Sequence, residues 1–119
     1  MPRVYELYLK DILKASQQIQ TYLENITEAD FKSDQLRIDG VLFNLMIIGE
    51  AVKNLPDELK TKTPEIEWRN IGRFRDRVVH HYFSTNLDIV WEIVTDYLPP
   101  LHKHVETLLN EISSDQDSE

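Results

Sequence analysis

Apolar residues recur at three- and four-residue steps through most of the chain, and this spacing predicts amphipathic helices. Four such stretches follow one another, and none shows the alternating pattern of a half-buried strand. We therefore predict an all-α fold, an antiparallel up-and-down four-helix bundle with short connections. The predicted stripes are Tyr5, Tyr8, Ile12, Ala15, Ile19, Tyr22 and Ile26; Leu36, Leu42, Leu45, Ile48, Val52 and Leu55; Trp68, Ile71, Arg75, Val78, Val79 and Tyr82; and Leu87, Val90, Trp91, Val94, Leu98, Leu101, Val105, Leu108 and Ile112.

The breaks between these stretches carry helix-capping signals. Thr27 and Asp30 have the spacing of a capping box, and Ser33 offers a second cap, so the second helix is expected to begin at residue 33 or 34. Pro56 is expected to end that helix, because proline lacks the backbone N–H that a helix interior needs. The connector 56–64 has room for one turn of helix.

Three further positions predict local features of the bundle. Gly49 lies inside the second helix, where glycine is unfavourable, which indicates close approach of a neighbouring helix. The segment Ser84-Thr85-Asn86 supplies a stop for the third helix and an N-cap for the fourth. The stripe of the fourth helix continues across Pro99-Pro100, where a kink is expected.

Length and composition limit the class of protein. With 119 residues the chain fits one domain, which we place at residues 1–112, followed by an acidic, disordered tail at 113–119. The absence of cysteine excludes disulfides and thiolate metal sites. No apolar stretch approaches the roughly 20 residues of a membrane-spanning helix, and the N-terminus lacks the apolar core of a signal peptide. A cytoplasmic protein without membrane association is expected.

Charge is distributed unevenly along the chain. The net charge of −8 argues against nucleic-acid binding, which depends largely on Lys and Arg. Residues 69–81, however, hold four arginines against Asp76, a balance of +3, which leaves nine bases and 20 acids, or −11, elsewhere. The sequence therefore predicts a small anion site, with Arg69, Arg73 and Arg77 as phosphate-binding side chains, on an acidic body.

The run from Arg75 to Tyr82 contains an arginine, a carboxylate, a histidine and a phenol within eight residues. On an ideal helix Tyr82 lies about 20° from Arg75 in projection, whereas His80 lies about 140° from Arg75. One straight helix therefore cannot bring Arg75 and His80 together. Either the helix loosens near Val79, or two copies of the chain meet across a two-fold axis and share the site.

Two other interpretations of this run remain open. Basic residues in the last turns of a helix interact favourably with its dipole, and Asp76 with His80 is an ordinary helical pair. A metal site is less favoured, because neither adjacent His80-His81 nor His102 with His104 has the three- or four-residue spacing that aims two imidazoles at one ion. No metal and no cofactor are therefore expected.

The spacing Arg75, four residues, His80, one residue, Tyr82 resembles the signature of the HEPN superfamily, and specifically of its HepT toxin branch. The resemblance covers nearly the whole chain. Asp76 stands where many members have asparagine. The flanking residues that share the pattern are Tyr22, Phe31, Asp34, Ile48-Gly49-Glu50, Pro64-Glu65-Ile66, Trp68-Arg69, Tyr82-Phe83, Trp91 and Leu98-Pro99-Pro100-Leu101.

The resemblance implies a homodimeric helical-bundle ribonuclease, the toxin of a type VII toxin–antitoxin pair. The implied partner is a minimal nucleotidyltransferase antitoxin, MntA, and the implied substrate is RNA, with transfer RNA among the candidates. Arg75 and His80 then serve RNA cleavage, and Tyr82 is the residue that the antitoxin AMPylates to silence the toxin.

From the residues we expect cleavage without metal, in which the 2′-hydroxyl of RNA attacks the adjacent phosphate. His80 would act as general base or acid, Arg75 would neutralise charge on the phosphate oxygens, and Asp76 would orient His80 or Arg75. The alternative is a non-catalytic helical module that docks a nucleotidyltransferase or holds a nucleotide, with the arginines as an anion clamp. The acidic body keeps this alternative open, because it repels RNA at long range.

Overall fold

The computed structural model describes residues 4–80 and 86–117, and this part of the chain is a helical bundle without strands. The all-α prediction is therefore confirmed, whereas the antiparallel order of four helices stays a prediction. The helices are α1 (Val4–Tyr22), α2 (Glu28–Lys32), α3 (Gln35–Asn54), α4 (Asp57–Lys62), α5 (Trp68–His80), α6 (Leu87–Glu92) and α7 (Leu98–Asp117), with a π-helical turn at Ile93–Tyr97 between the last two.

The predicted capping box forms, but it starts a short helix of its own. The Thr27 hydroxyl accepts from the Asp30 N–H, and the Asp30 carboxylate accepts from the Thr27 N–H, which opens α2. The expectation that Ser33 caps the second long helix was wrong, since Ser33 ends α2. Asp34 caps α3 instead, because its carboxylate accepts from the Arg37 N–H.

Three other boundaries agree with the sequence signals. Helix α3 ends at Asn54, just before Pro56, and the connector carries the single short helix α4. The Asn86 side chain accepts from the N–H groups of Asp88 and Ile89 and so caps α6. Ser84 and Thr85 lie outside the described residues. Helix α7 continues to Asp117, past the predicted boundary at residue 112, and the division into domain and tail stays a prediction.

A π-helical turn stands directly before the two prolines. Pro99 and Pro100 are the second and third residues of α7, which continues directly from the π-helical turn, so the N–H groups that they lack would have faced that turn. The Leu98 N–H donates to the Ile93 carbonyl, five residues back, instead of the usual four. The α-helical hydrogen bonding is thus interrupted where the sequence predicts a kink, while the chain stays helical.

The core lies between α1, α3, α5 and α7, with α3 packed against both α1 and α5. At one end of the core, Phe31 is fully buried and its ring centroid lies 5.6 Å from that of Trp91. More than half of the predicted stripe positions in the described part of the chain are buried, and most of the others are half-buried, as expected for amphipathic helices. The buried aliphatic residues include Leu9, Ile12, Ile19, Val41, Leu42, Leu45, Ile48, Val52, Val90, Val94, Leu98, Leu101 and Val105.

One face of α3 is apolar and exposed, contrary to the prediction for Leu36. Leu36 is 83% exposed and Phe43 is 61% exposed. Positions 36, 43, 47 and 50 fall within about 60° in helical projection, so this outer stripe runs from Leu36 to Glu50. Exposed apolar stripes of this kind usually mark an interaction surface.

Helices α3 and α5 meet most closely at Gly49. A Cβ atom placed on Gly49 would lie 2.1 Å from Cβ and 2.6 Å from Cγ of Arg75. Real Cβ contacts are never this short, so any other residue at position 49 would push the two helices apart. The predicted close approach at this glycine is confirmed, and its neighbour is the motif arginine.

Substitution of Gly49 by alanine is expected to destabilise the protein, by about 1–3 kcal/mol, because the added methyl overlaps the stem of Arg75. Gly72 provides a matched control, since a Cβ there would meet only Lys53 Cγ at 3.9 Å. Gly72→Ala should raise stability by about 0.5–1 kcal/mol through helix propensity. Chemical denaturation of both variants measures the difference, and equal effects at the two glycines would contradict the packing described.

Candidate active site

Helix α5 carries the candidate site, and its first turn is anchored in the core. Trp68 is buried, and its indole Nε1–H donates to the hydroxyl of buried Thr63 at 2.8 Å. This bond joins the start of α5 to the end of the α4 connector. The start of α5 is thus tied to the connector, and its packing against α3 is set at Gly49.

Arg75 lies against α3 with a partly buried guanidinium. Its Nη2 lies 2.8 Å from Oε2 of Glu50, and its Nη1 lies 3.1 Å from Oδ1 of Asp76. Only 26% of the side chain is exposed, and its Nε is buried without a hydrogen-bond partner in the described part of the chain. The stem is held by Gly49 and the head by two carboxylates, so the orientation of the guanidinium is fixed.

Asp76 joins Arg75 to a second cation. Its Oδ1 also accepts from Nζ of Lys53 at 2.5 Å. Lys53 first, and Arg75 second, lower the pKa of the Asp76 carboxyl below its ordinary value, so Asp76 is anionic at neutral pH. Of the two roles predicted for Asp76, the described contacts match orientation of Arg75.

The other arginines of α5 occupy a different face from Arg75. Arg69 and Arg73 are exposed. Positions 69, 73, 77 and 80 fall within about 80° in helical projection, whereas position 75 lies about 160° from position 73. Helix α5 therefore has an inner position, Arg75, that contacts α3, and an outer face that carries positions 69, 73, 77 and 80.

Three predicted site residues lie outside the described contacts. Arg77 and His80 belong to the backbone of α5, but their side chains are outside the described residues, as is Tyr82 altogether. The roles of His80 and Tyr82 therefore stay predictions.

Glu50 and Lys53 were missed as site residues. Both stand on α3, 25 and 23 positions before their partners, and only tertiary packing brings them to α5. Gly49 was the sequence signal that could have found them. Where a glycine allows a second helix to approach, the residues one position and one turn after it lie next to that second helix. Here those residues are Glu50 and Lys53.

Among the side chains that the structure describes, in residues 5–73, 75–76 and 86–112, no group of three or more His, Asp and Glu is arranged to hold a metal ion. His102 has a structural partner, because its Nδ1 lies 3.0 Å from the hydroxyl of buried Ser16 and so links α7 to α1. Nor is any helix in the described part of the chain long and apolar enough to cross a membrane.

A groove of about 530 Å³ opens between α3, the start of α5, the π-helical turn and α7. Its walls are mainly aliphatic, and it is rimmed by Glu65, Glu67 and Asp96. Of the α5 arginines with described side chains, Arg69, Arg73 and Arg75, none lines it. An acidic rim disfavours the phosphates of a nucleotide, so this groove is not the predicted anion site.

Comparison with known proteins identifies the family. A model of the family described as ribonuclease HepT-like matches residues 12–108. The protein named "Probable ribonuclease HepT" of Thermococcus cleftensis is 37% identical over 108 residues, which cover 91% of this chain and 98% of that protein. No solved structure is significantly similar.

Two further relatives carry the names of candidate RNases. One, from Methanocaldococcus jannaschii, is 34% identical over 93% of this chain and 92% of its own length. The other, from Caldanaerobacter subterraneus subsp. tengcongensis, is 36% identical over 86% of this chain and 91% of its own length. Taken together with the motif on α5 and its contacts to α3, these matches show that the chain belongs to the HepT-like ribonuclease family.

Proposed function

We propose that this protein is the toxin of a type VII toxin–antitoxin pair, a metal-independent RNA endonuclease that a cognate nucleotidyltransferase of the MntA type silences by AMPylation of Tyr82. Arg75, Asp76 and His80 form the catalytic set. The 2′-hydroxyl of the RNA is the nucleophile, so the protein needs to supply only proton transfer and charge stabilisation.

The observation that carries this proposal is the fixed guanidinium of Arg75. Gly49 holds its stem against α3, and Glu50 and Asp76 hold its head. An orienting shell of this kind is what electrostatic catalysis requires, because a group that is already in place need not reorganise as charge develops on the phosphate.

Arg69 and Arg73 supply the affinity for RNA in this proposal. Both are exposed on the outer face of α5, and both lack an ion-pair partner among the described residues. Exposed arginines bind the phosphate backbone without reading sequence. Arg77 follows four positions after Arg73 and is proposed to bind phosphate in the same way. Because the rest of the chain is acidic, binding should be confined to this helix and should weaken steeply with salt.

Modification of Tyr82 would act directly on this site. On an ideal helix extended to position 82, Tyr82 would lie about 20° from Arg75 in projection. An AMP group there would place a phosphate beside the guanidinium, where it would compete with substrate phosphate, and its nucleoside would block the cleft. Inhibition would then occur without unfolding.

Positions 75 and 80 are about 140° apart in projection, so one helix does not bring them together. The proposed site is therefore completed by a homodimer in which the α5 motif of each copy lies near the two-fold axis. The outer stripe of α3 supports this arrangement. It exposes Leu36 and Phe43, and it ends at Glu50, the partner of Arg75. Burial of this stripe against a second copy would bring two copies of the site close together.

The activity is tested with purified protein and total RNA in the presence of EDTA. Wild type should cleave RNA, whereas His80→Ala and Arg75→Ala, matched in helicity by circular dichroism, should lose about 10²-fold or more. EDTA-sensitive cleavage, or full activity of His80→Ala, would exclude the proposed mechanism. Absence of cleavage by unmodified wild type would favour the binding module that docks a nucleotidyltransferase.

The modification is tested by incubating the protein with its cognate nucleotidyltransferase and ATP. Intact mass should rise by one or more AMP units in wild type and stay unchanged in Tyr82→Phe. RNA cleavage by the modified wild type should fall, while circular dichroism stays the same. A mass increase that persists in Tyr82→Phe would move the modification to another residue.

The dimer is tested by sedimentation of Phe43→Glu, with Leu7→Glu as the matched control. Phe43 and Leu7 are both 61% exposed, but only Phe43 lies on the outer stripe of α3. Phe43→Glu should dissociate the dimer and abolish cleavage, and Leu7→Glu should do neither. A monomeric variant that still cleaves RNA would show that one chain holds the whole site.

A further inference from the structure

The proposed cleavage needs two proton transfers, and this requirement assigns a role to one more residue. As the bond from the 2′-oxygen to phosphorus forms, the 2′-hydroxyl loses a proton. As the bond from phosphorus to the 5′-oxygen breaks, that oxygen gains one. A single imidazole cannot accept the first proton and donate the second in the same step, so a second group is needed, either His80 of a second copy or a carboxylate beside Arg75. The inference rests on the proposed function.

The second group must lie within reach of the phosphate that Arg75 binds. Among the described residues, two carboxylates contact the guanidinium of Arg75, namely Glu50 and Asp76. A 2′-hydroxyl is attached to the carbon next to the one that carries the scissile phosphate. A base that shares the guanidinium with this phosphate is therefore placed to reach the hydroxyl as well.

Asp76 is a poor proton acceptor in this position. Its Oδ1 already accepts hydrogen bonds from Lys53 and Arg75. Both cations stabilise its ionised form, which lowers its pKa and thus its basicity. Asp76 is better suited to hold Arg75, the role that its contacts indicate.

Glu50 meets the requirements that Asp76 does not. In the described part of the chain it forms an ion pair with Arg75 alone, through Oε2. Its side chain is 55% exposed, so a substrate can approach the carboxylate from solvent. Its backbone is fixed in α3, one residue from the point at which α3 and α5 touch.

We propose that Glu50 is the general base that takes the proton from the attacking 2′-hydroxyl, and that His80 is the general acid that protonates the leaving 5′-oxygen. The products are a 2′,3′-cyclic phosphate and a 5′-hydroxyl end. Exchange of protons with water then restores both side chains. The assignment is the same whether His80 comes from the same chain or from a second copy.

Glu50→Gln separates the role of base from that of an anchor for Arg75. Glutamine keeps an oxygen that accepts from Arg75 but cannot take up the proton, so cleavage of RNA should fall about 10²–10⁴-fold. The acidic limb of the pH profile of kcat/KM should disappear. Glu50→Asp should keep that limb at a reduced rate, and Glu58→Gln, which changes an exposed glutamate on α4, should leave the profile unchanged.

A substrate with a better leaving group distinguishes the base from the acid. A short RNA with sulfur in place of the 5′-oxygen at a site that wild type cleaves needs no protonation of the leaving group. This substrate should restore cleavage by His80→Ala but not by Glu50→Gln. Restoration of Glu50→Gln, or an acidic limb that survives in it, would overturn the assignment while leaving the nuclease intact. Absence of cleavage by wild type would overturn both.

Discussion

The contact between Gly49 and Arg75 is the constraint on which the site depends. Because position 49 has no Cβ, α5 approaches α3 closely enough for the stem of Arg75 to lie on the α3 backbone. The guanidinium then has one direction in which to extend, toward Glu50 and Asp76. The buried, unpaired Nε shows the cost of this packing, since a buried donor without a partner is unfavourable.

The charges around this contact balance one another. Arg75 and Lys53 face Glu50 and Asp76, so the four side chains together carry no net charge. An arginine whose charge is already matched does not attract anions strongly at long range. In the proposed function, long-range attraction therefore comes from the exposed arginines Arg69 and Arg73 of α5, while Arg75 acts only on a phosphate that has arrived. These two arginines and Arg75 lie on opposite faces of one helix.

The sequence predicts the helices well because their signals are local. The capping box at Thr27, the stop before Pro56 and the cap at Asn86 each depend on residues a few positions apart. Gly49 is the exception that carries tertiary information, since a glycine inside a helix indicates a close neighbour. Leu36 shows the limit of the pattern, because α3 has apolar residues on more than one face and periodicity cannot say which of them is buried.

The partners of Arg75 could not be predicted in the same way. Glu50 and Lys53 are two of many charged residues at helical spacing, and only the register of α3 against α5 selects them. The close contact of Gly49 with Arg75 sets that register. The motif on α5 therefore predicts which residues act, whereas the packing of α3 determines how Arg75 is aimed.

The same packing explains why a modification beside Arg75 would be an efficient switch. A guanidinium held by two carboxylates cannot turn away from a phosphate attached close to it, because its stem is fixed at Gly49. A tethered phosphate has a high effective concentration and competes with substrate without any change of fold. The rigidity that prepares Arg75 for a transferring phosphate thus also prepares it for an inhibitory one. In this arrangement, activity and its silencing depend on a single oriented cation.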